Sequence, residues 1–162
     1  VMQCEVRDNL LFVDGQPVEF RESPNQGREM VPTLIIEHFT GDGSVEGAIS
    51  WLCAPRSKVS AHLVISKTGE IVQLVPFNRV AWHCGQSEYM GQPNVNSFSI
   101  GIENVGTGDH FPDEQMEANR AVIAALYSFY PIEDVAGHED VCIPPGRKSD
   151  PGKNWNWSKV TT

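Results

Sequence analysis

One segment constrains the fold of this 162-residue chain more than any other, the run from Pro112 to Pro131. Pro112 opens it and Asp113 and Glu114 follow. A proline is tolerated at a helix start because the N–H it lacks has no partner there, and acidic residues meet the positive end of the helix dipole. Met116, Ile123, Leu126, Tyr127 and Tyr130 then recur at helical spacing until Pro131 stops the run. Strand-like segments flank this helix. Phe98, Ile100 and Ile102 alternate with Ser99, Gly101 and Glu103, and a further short strand is expected at Ile132 to Ala136. A helix with one apolar stripe, bracketed by strands, calls for a sheet to cover.

Upstream, Asp14-Gly15 between Leu10–Val13 and Pro17–Phe20 predicts a hairpin. Residues 21–32, with Pro24, Gly27 and Pro32, read as a loop. Leu34-Ile35-Ile36 is a short buried strand ending at His38. Ser44 suits the N-cap of a helix running to about Cys53, closed by Pro55. Two strands are expected over 60–75 around Lys67-Thr68-Gly69, and a long loop over 85–97. The fold class is therefore α/β (α+β), one domain over 1–162 with a central mixed β-sheet covered by helices.

Twelve Lys and Arg against 21 Asp and Glu give a net charge of -9. That balance argues against nucleic acid, whose sequence-independent binding needs basic surface, and against electrostatic docking on an anionic membrane. The longest apolar run is far shorter than a membrane span, and Val1 to Leu10 carries no apolar signal core. A monomer synthesised in the cytoplasm is the expectation. Cys4, Cys53, Cys84 and Cys142 form no CxxC pair, which excludes a thiolate zinc ribbon, and free buried thiols are expected.

Three residues of metal-ligating type stand at element ends: His38, His138 and, twelve positions later, Asp150. Two histidines and one carboxylate suit a catalytic zinc, which takes three protein ligands and leaves a fourth position for water. By itself a histidine at a strand end is more often structural. The neighbouring motifs carry the functional reading.

Ile35-Ile36-Glu37-His38-Phe39-Thr40, Ala81-Trp82-His83-Cys84-Gly85, Ser99-Ile100-Gly101-Ile102-Glu103 and Gly146-Arg147-Lys148-Ser149-Asp150-Pro151-Gly152 occur in that order. Together they resemble the zinc N-acetylmuramoyl-L-alanine amidases of the type 2 amidase family, which also includes peptidoglycan recognition proteins and phage lysozymes of the amidase type. The resemblance covers 31–157, a family core preceded by an N-terminal hairpin and loop over 1–30. It implies one Zn2+ held by His38, His138 and Asp150, Glu103 as general base, and Lys148 as the stabiliser of transition-state charge. It implies a peptidoglycan or muropeptide substrate, cut at the amide between muramic acid and L-alanine. His83, His62 and Asn96 are expected to line the substrate groove, with open space above Ser99 and Gly101. Two rival readings stay open: a peptidoglycan receptor without catalysis, and a zinc peptidase acting on another amide. Cys142 is an alternative soft third ligand.

Overall fold

The computed structural model describes residues 1–161. Strands β1 (Cys4–Arg7), β2 (Leu10–Val13) and β3 (Gln16–Pro17) form an antiparallel meander. Its tight turns place Asp8, Asn9 and Asp14 at positive φ, which short polar side chains tolerate. The expected hairpin is present, with a further strand ahead of it. There follow β4 (Glu19–Phe20), β5 (Gln26–Glu29), β6 (Leu34–Phe39), α1 (Val45–Leu52), β7 (Leu63–Ile65), β8 (Ile71–Gln73) and β9 (Arg79–Ala81). The rest of the chain carries β10 (Glu88–Tyr89), β11 (Gln92–Pro93), β12 (Ser99–Asn104), α2 (Asp113–Phe129), β13 (Asp134–Gly137), and two single helical turns, α3 (His138–Val141) and α4 (Trp157–Val160).

Six strands make the central sheet, in the order β13-β6-β12-β7-β8-β4. Strands β13, β6, β12 and β7 run parallel, and β7 turns back antiparallel onto β8, so the sheet is mixed. Two stretches expected to be loops need correcting. Residues 21–32 contain β5, which pairs with β9, and 85–97 contain the β10-β11 hairpin. Both are polar segments punctuated by Gly or Pro. Their pairing comes from partners elsewhere in the fold, which an apolar period does not report.

Helix α2 covers one face of the sheet. Met116, Val122, Ile123 and Leu126 pack there against Ile35, Leu63, Ile65, Ile100 and Ile102, joined by Val6 and Leu11 of the N-terminal meander. Each fully buried side chain of this size contributes about 1.5–3 kcal/mol. The other face is shared. Ile49 and Leu52 of α1 lie over Val64 and Val72, while Leu34, Ile36 and Ala136 lie beneath Cys84, Val95 and Val141. Ser44 fixes the entry to α1, its hydroxyl accepting from the Gly47 N–H at 3.0 Å. A cleft opens on this second face.

The β7-β8 turn shows how closely the helix rides on the sheet. Gly69 has φ +89°, and a Cβ there would lie 2.8 Å from the Glu114 carbonyl oxygen in the first turn of α2. Gly69→Ala therefore combines a left-handed alanine, about 1–2 kcal/mol by itself, with a backbone collision. A fall in the urea midpoint at unchanged m-value is the expected result, and an unchanged midpoint would refute the contact.

Candidate metal centre and active site

The parallel strands bring the sequence-predicted residues together. His38 is the penultimate residue of β6, and its register partner on β12 is Glu103. Gly137, the last residue of β13, pairs with Glu37, so His138 emerges one step beyond the same sheet edge. Crevices outside the carboxyl ends of parallel strands are where α/β sheets commonly place ligands. The tail after α3 folds back across this edge and supplies Lys148 and Asp150. An open cleft of about 480 Å³ results, walled at one end by His38, Glu103, His138, Lys148 and Asp150. At the other end α1 contributes Ala48, Trp51 and Leu52.

The three candidate ligands converge on one point. His38 Nδ1 lies 2.9 Å from Asp150 Oδ2, and His138 Nδ1 lies 3.2 Å from the same oxygen. All three residues are buried, and their ligand atoms form a group able to hold a metal ion. Hydrogen-bond polarity tests the fit. His138 Nε2 faces the Cys84 carbonyl at 3.0 Å, and a carbonyl only accepts, so Nε2 carries the proton. In a neutral ring Nδ1 then presents a lone pair to an anionic oxygen, an arrangement that calls for a cation between them. Donors bound at about 2.0–2.2 Å in tetrahedral geometry lie roughly 3.3–3.5 Å apart, close to the spacing here. Burial lowers the pKa of His38 below the ordinary histidine value and outweighs the Asp150 hydrogen bond, so the ring stays neutral to lower pH. For Asp150 the direction follows the rings: burial pushes its carboxyl up, while His138 and His38 hold it well below the carboxylate range when their Nδ1 atoms carry protons.

Glu103 is half-buried on the cleft wall, and its Oε1 is buried without a hydrogen-bond partner. Burial, then the negative charge of Asp150, push its pKa well above normal, while Lys148 pulls it down. Lys148 is exposed and borders the same cleft. Its neighbour Arg147 is structural. The guanidinium donates to the carbonyls of Cys84, Gln86 and Ile143 and ties the tail to the segment after β9.

The three expected groove residues fall in different places. His83 does border the cleft. It also fills the space above Gly101 that the sequence left open, since a Cβ on Gly101 would lie 2.5 Å from its ring. His62 is fully buried behind it. Its Nδ1 accepts from the Gly101 N–H at 3.0 Å, and its Nε2 donates to the Arg79 carbonyl at 2.8 Å. With both nitrogens occupied inside the protein, His62 is corrected from a groove residue to an internal brace of the sheet. Asn96 likewise faces inward, its Oδ1 accepting from the backbone N–H groups of His83 and Cys84 at 3.1 and 2.8 Å. It is corrected from substrate contact to holder of the His83-Cys84 segment. The Cys142 thiol points at the carbonyls of Glu139 and Lys148, outside the ligand cluster. Sequence reading missed Trp51. Its signal was an apolar side chain on α1, half exposed beside the buried Ile49 and Leu52.

Behind the site, Glu37 points to the α2 side of the sheet. Its Oε1 accepts from the side-chain amides of Asn104 and Asn119 at 3.0 and 2.9 Å, while Oε2 is buried and unpartnered. Burial pushes its pKa up to about 7, against the two hydrogen bonds that lower it. A carboxyl raised on folding holds its proton more tightly in the native state, so stability falls as pH rises from the unfolded value near 4.5 through about 7. The loss is on the order of 3 kcal/mol and levels off above that pH. Glu37→Gln keeps an acceptor for both asparagines and removes the titration. The stability of Glu37→Gln relative to the parent should therefore climb between pH 4.5 and 7, and a flat difference would rule out the raised carboxyl.

The family model described as N-acetylmuramoyl-L-alanine amidase matches residues 27–153. The 1,6-anhydro-N-acetylmuramyl-L-alanine amidase AmpD of Escherichia coli (strain K12) is 46% identical over 105 residues, covering 63% of this chain and 56% of that protein. The chain thus spans little more than half the length of that relative. AmpD of Enterobacter cloacae is 43% identical over 175 aligned positions, covering 93% of this chain and 92% of its own. A crystal structure of a selenomethionine AmpD derivative superposes with a TM-score of 0.80 at 32% identity, over 88% of this chain and 92% of that one. His38, Glu103, His138, Lys148 and Asp150 all lie inside the matched span, and the chain belongs to the N-acetylmuramoyl-L-alanine amidase family.

Proposed function

We propose that this protein hydrolyses the amide joining N-acetylmuramic acid to L-alanine in peptidoglycan or its soluble muropeptide fragments, with one zinc ion held by His38, His138 and Asp150. The observation that carries this reading is the convergence of two imidazole nitrogens on one buried carboxylate oxygen, beside a strand-paired glutamate on a shared cleft. When bound, zinc supplies a water acidified towards neutral pH and a Lewis acid for the amide carbonyl. Glu103 takes a proton from the attacking water and delivers it to the departing nitrogen. One C–O bond forms and the C–N bond breaks, giving a muramic acid carboxylate and a stem peptide with a free alanine amine. Negative charge on Asp150 is what opposes ionisation of Glu103 most strongly after burial, and a cation at the ligands relieves it. Lys148 faces the negative charge that develops on the carbonyl oxygen. Lys148→Met should cost roughly 10²–10³ in turnover with the metal retained, as loss of one charge-stabilising donor does.

The test is product identity. Protein loaded with zinc is incubated with a purified anhydro-muramoyl peptide and, in parallel, with intact cell wall, and products are identified by mass. Free stem peptide beginning with alanine supports the reading, and cuts between amino acids, or none, would overturn it. The two substrate arms separate soluble fragments from polymeric wall.

A further inference from the structure

The metal-ligand histidine His38 is oriented by a chain of hydrogen bonds whose direction can be read from one fixed end. The Val95 carbonyl can only accept, and the Ser99 hydroxyl donates its single proton to it at 2.7 Å. Towards His83 Nε2, 3.1 Å away, the same hydroxyl oxygen can then only accept, so His83 carries its proton on Nε2. Its Nδ1 is left with a lone pair. That lone pair faces His38 Nε2 at 3.0 Å, so His38 donates, and its own Nδ1 is left free to face Asp150 Oδ2. The Cys84 thiol, 3.3 Å from the same His83 Nδ1, is a second donor of the same sense and leaves the chain's direction unchanged.

We propose that His83 is the positioning residue of the metal centre, holding His38 in the tautomer whose Nδ1 can ligate, and that Ser99 sets the tautomer of His83. This rests on the reading of His38, His138 and Asp150 as metal ligands. The outer partner of a ligating histidine is usually a carboxylate or backbone carbonyl, which has only one hydrogen-bonding sense. His138 has such a partner in the Cys84 carbonyl. His38 has an imidazole, which can serve in either sense, so a third residue must fix it. The alternation along β12 now has a physical reason. Ser99 anchors the His83 ring, Gly101 leaves the space the ring occupies, and Glu103 reaches the cleft from the same strand face.

The experiment measures zinc affinity by chelator competition, alongside ring ¹⁵N shifts of the histidines in metal-free protein. His83→Leu keeps bulk and removes the acceptor. It should weaken zinc binding about 10–100-fold and lose the unprotonated Nδ1 signal of His38. His83→Asn returns an amide oxygen near the Nδ1 position and should bind zinc closer to the parent than to His83→Leu. Gly101→Ala, which pushes the ring aside without touching a polar group, should behave like His83→Leu. Parent-like affinity in His83→Leu, or an equal loss in His83→Asn, would overturn the proposal. Should His83→Leu not fold, Ser99→Ala decides: weaker zinc with a mixed His83 tautomer supports the chain of bonds, and unchanged affinity with a changed tautomer defeats it. A parent that binds no zinc would instead sink the metal reading itself.

Discussion

With Glu103 as the proposed base, Glu103→Gln should yield a folded protein that binds metal as the parent does and loses on the order of 10²–10⁴ in turnover, the span typical of a general base. The expectation follows from where Glu103 sits. It pairs with His38 in the sheet register yet makes no contact within the ligand cluster, so metal content should be untouched. Its Oε1 is buried without a partner, and a glutamine in its place breaks no hydrogen bond at that atom. Removing a carboxyl whose pKa is raised on folding also removes a destabilising ionisation, so the metal-free variant should be at least as stable as the metal-free parent at neutral pH. Turnover and zinc stoichiometry on the loaded protein, and thermal midpoint on the metal-free protein, separate these effects. Near-normal turnover would dismiss Glu103 as the base, and lost zinc would place it in the ligand set.

Most of the residues that this cleft brings together were legible because their motifs end strands. A strand's period of two says which side chains share a face, and it put Glu103 with Gly101 and Ser99 correctly. What period cannot say is what lies on top of that face. The gap over Gly101 read as room for substrate is filled by His83, which arrives from the segment after β9, sixteen positions from Ser99. His62 and Asn96 were misplaced for the same reason. Polar residues near a motif look available to a ligand until their internal partners are known, and those partners are the Arg79 carbonyl and two backbone N–H groups. The α2 helix and the β6 and β12 strands were legible because burial on a sheet imposes a pattern on every turn or alternate residue. Strand β5 was not, since both its faces are at least partly exposed and its register is set by β9 across a bulge.

Asp150→Asn should abolish stoichiometric zinc binding, for two reasons that act together. The variant lacks the anionic oxygen that lies 2.9 and 3.2 Å from the two Nδ1 atoms, and a neutral amide is a weak ligand for a hard or borderline cation. The amide NH₂ also carries two hydrogens, one for each imidazole lone pair, so the metal-free site satisfies itself without an ion. The affinity loss should exceed the roughly 10–100-fold typical of an outer-shell partner, and activity should fall with occupancy. Zinc retained at one per chain in Asp150→Asn would remove Asp150 from the centre, leaving His38, His83 and Cys84 as the other group among the described residues close enough to hold an ion.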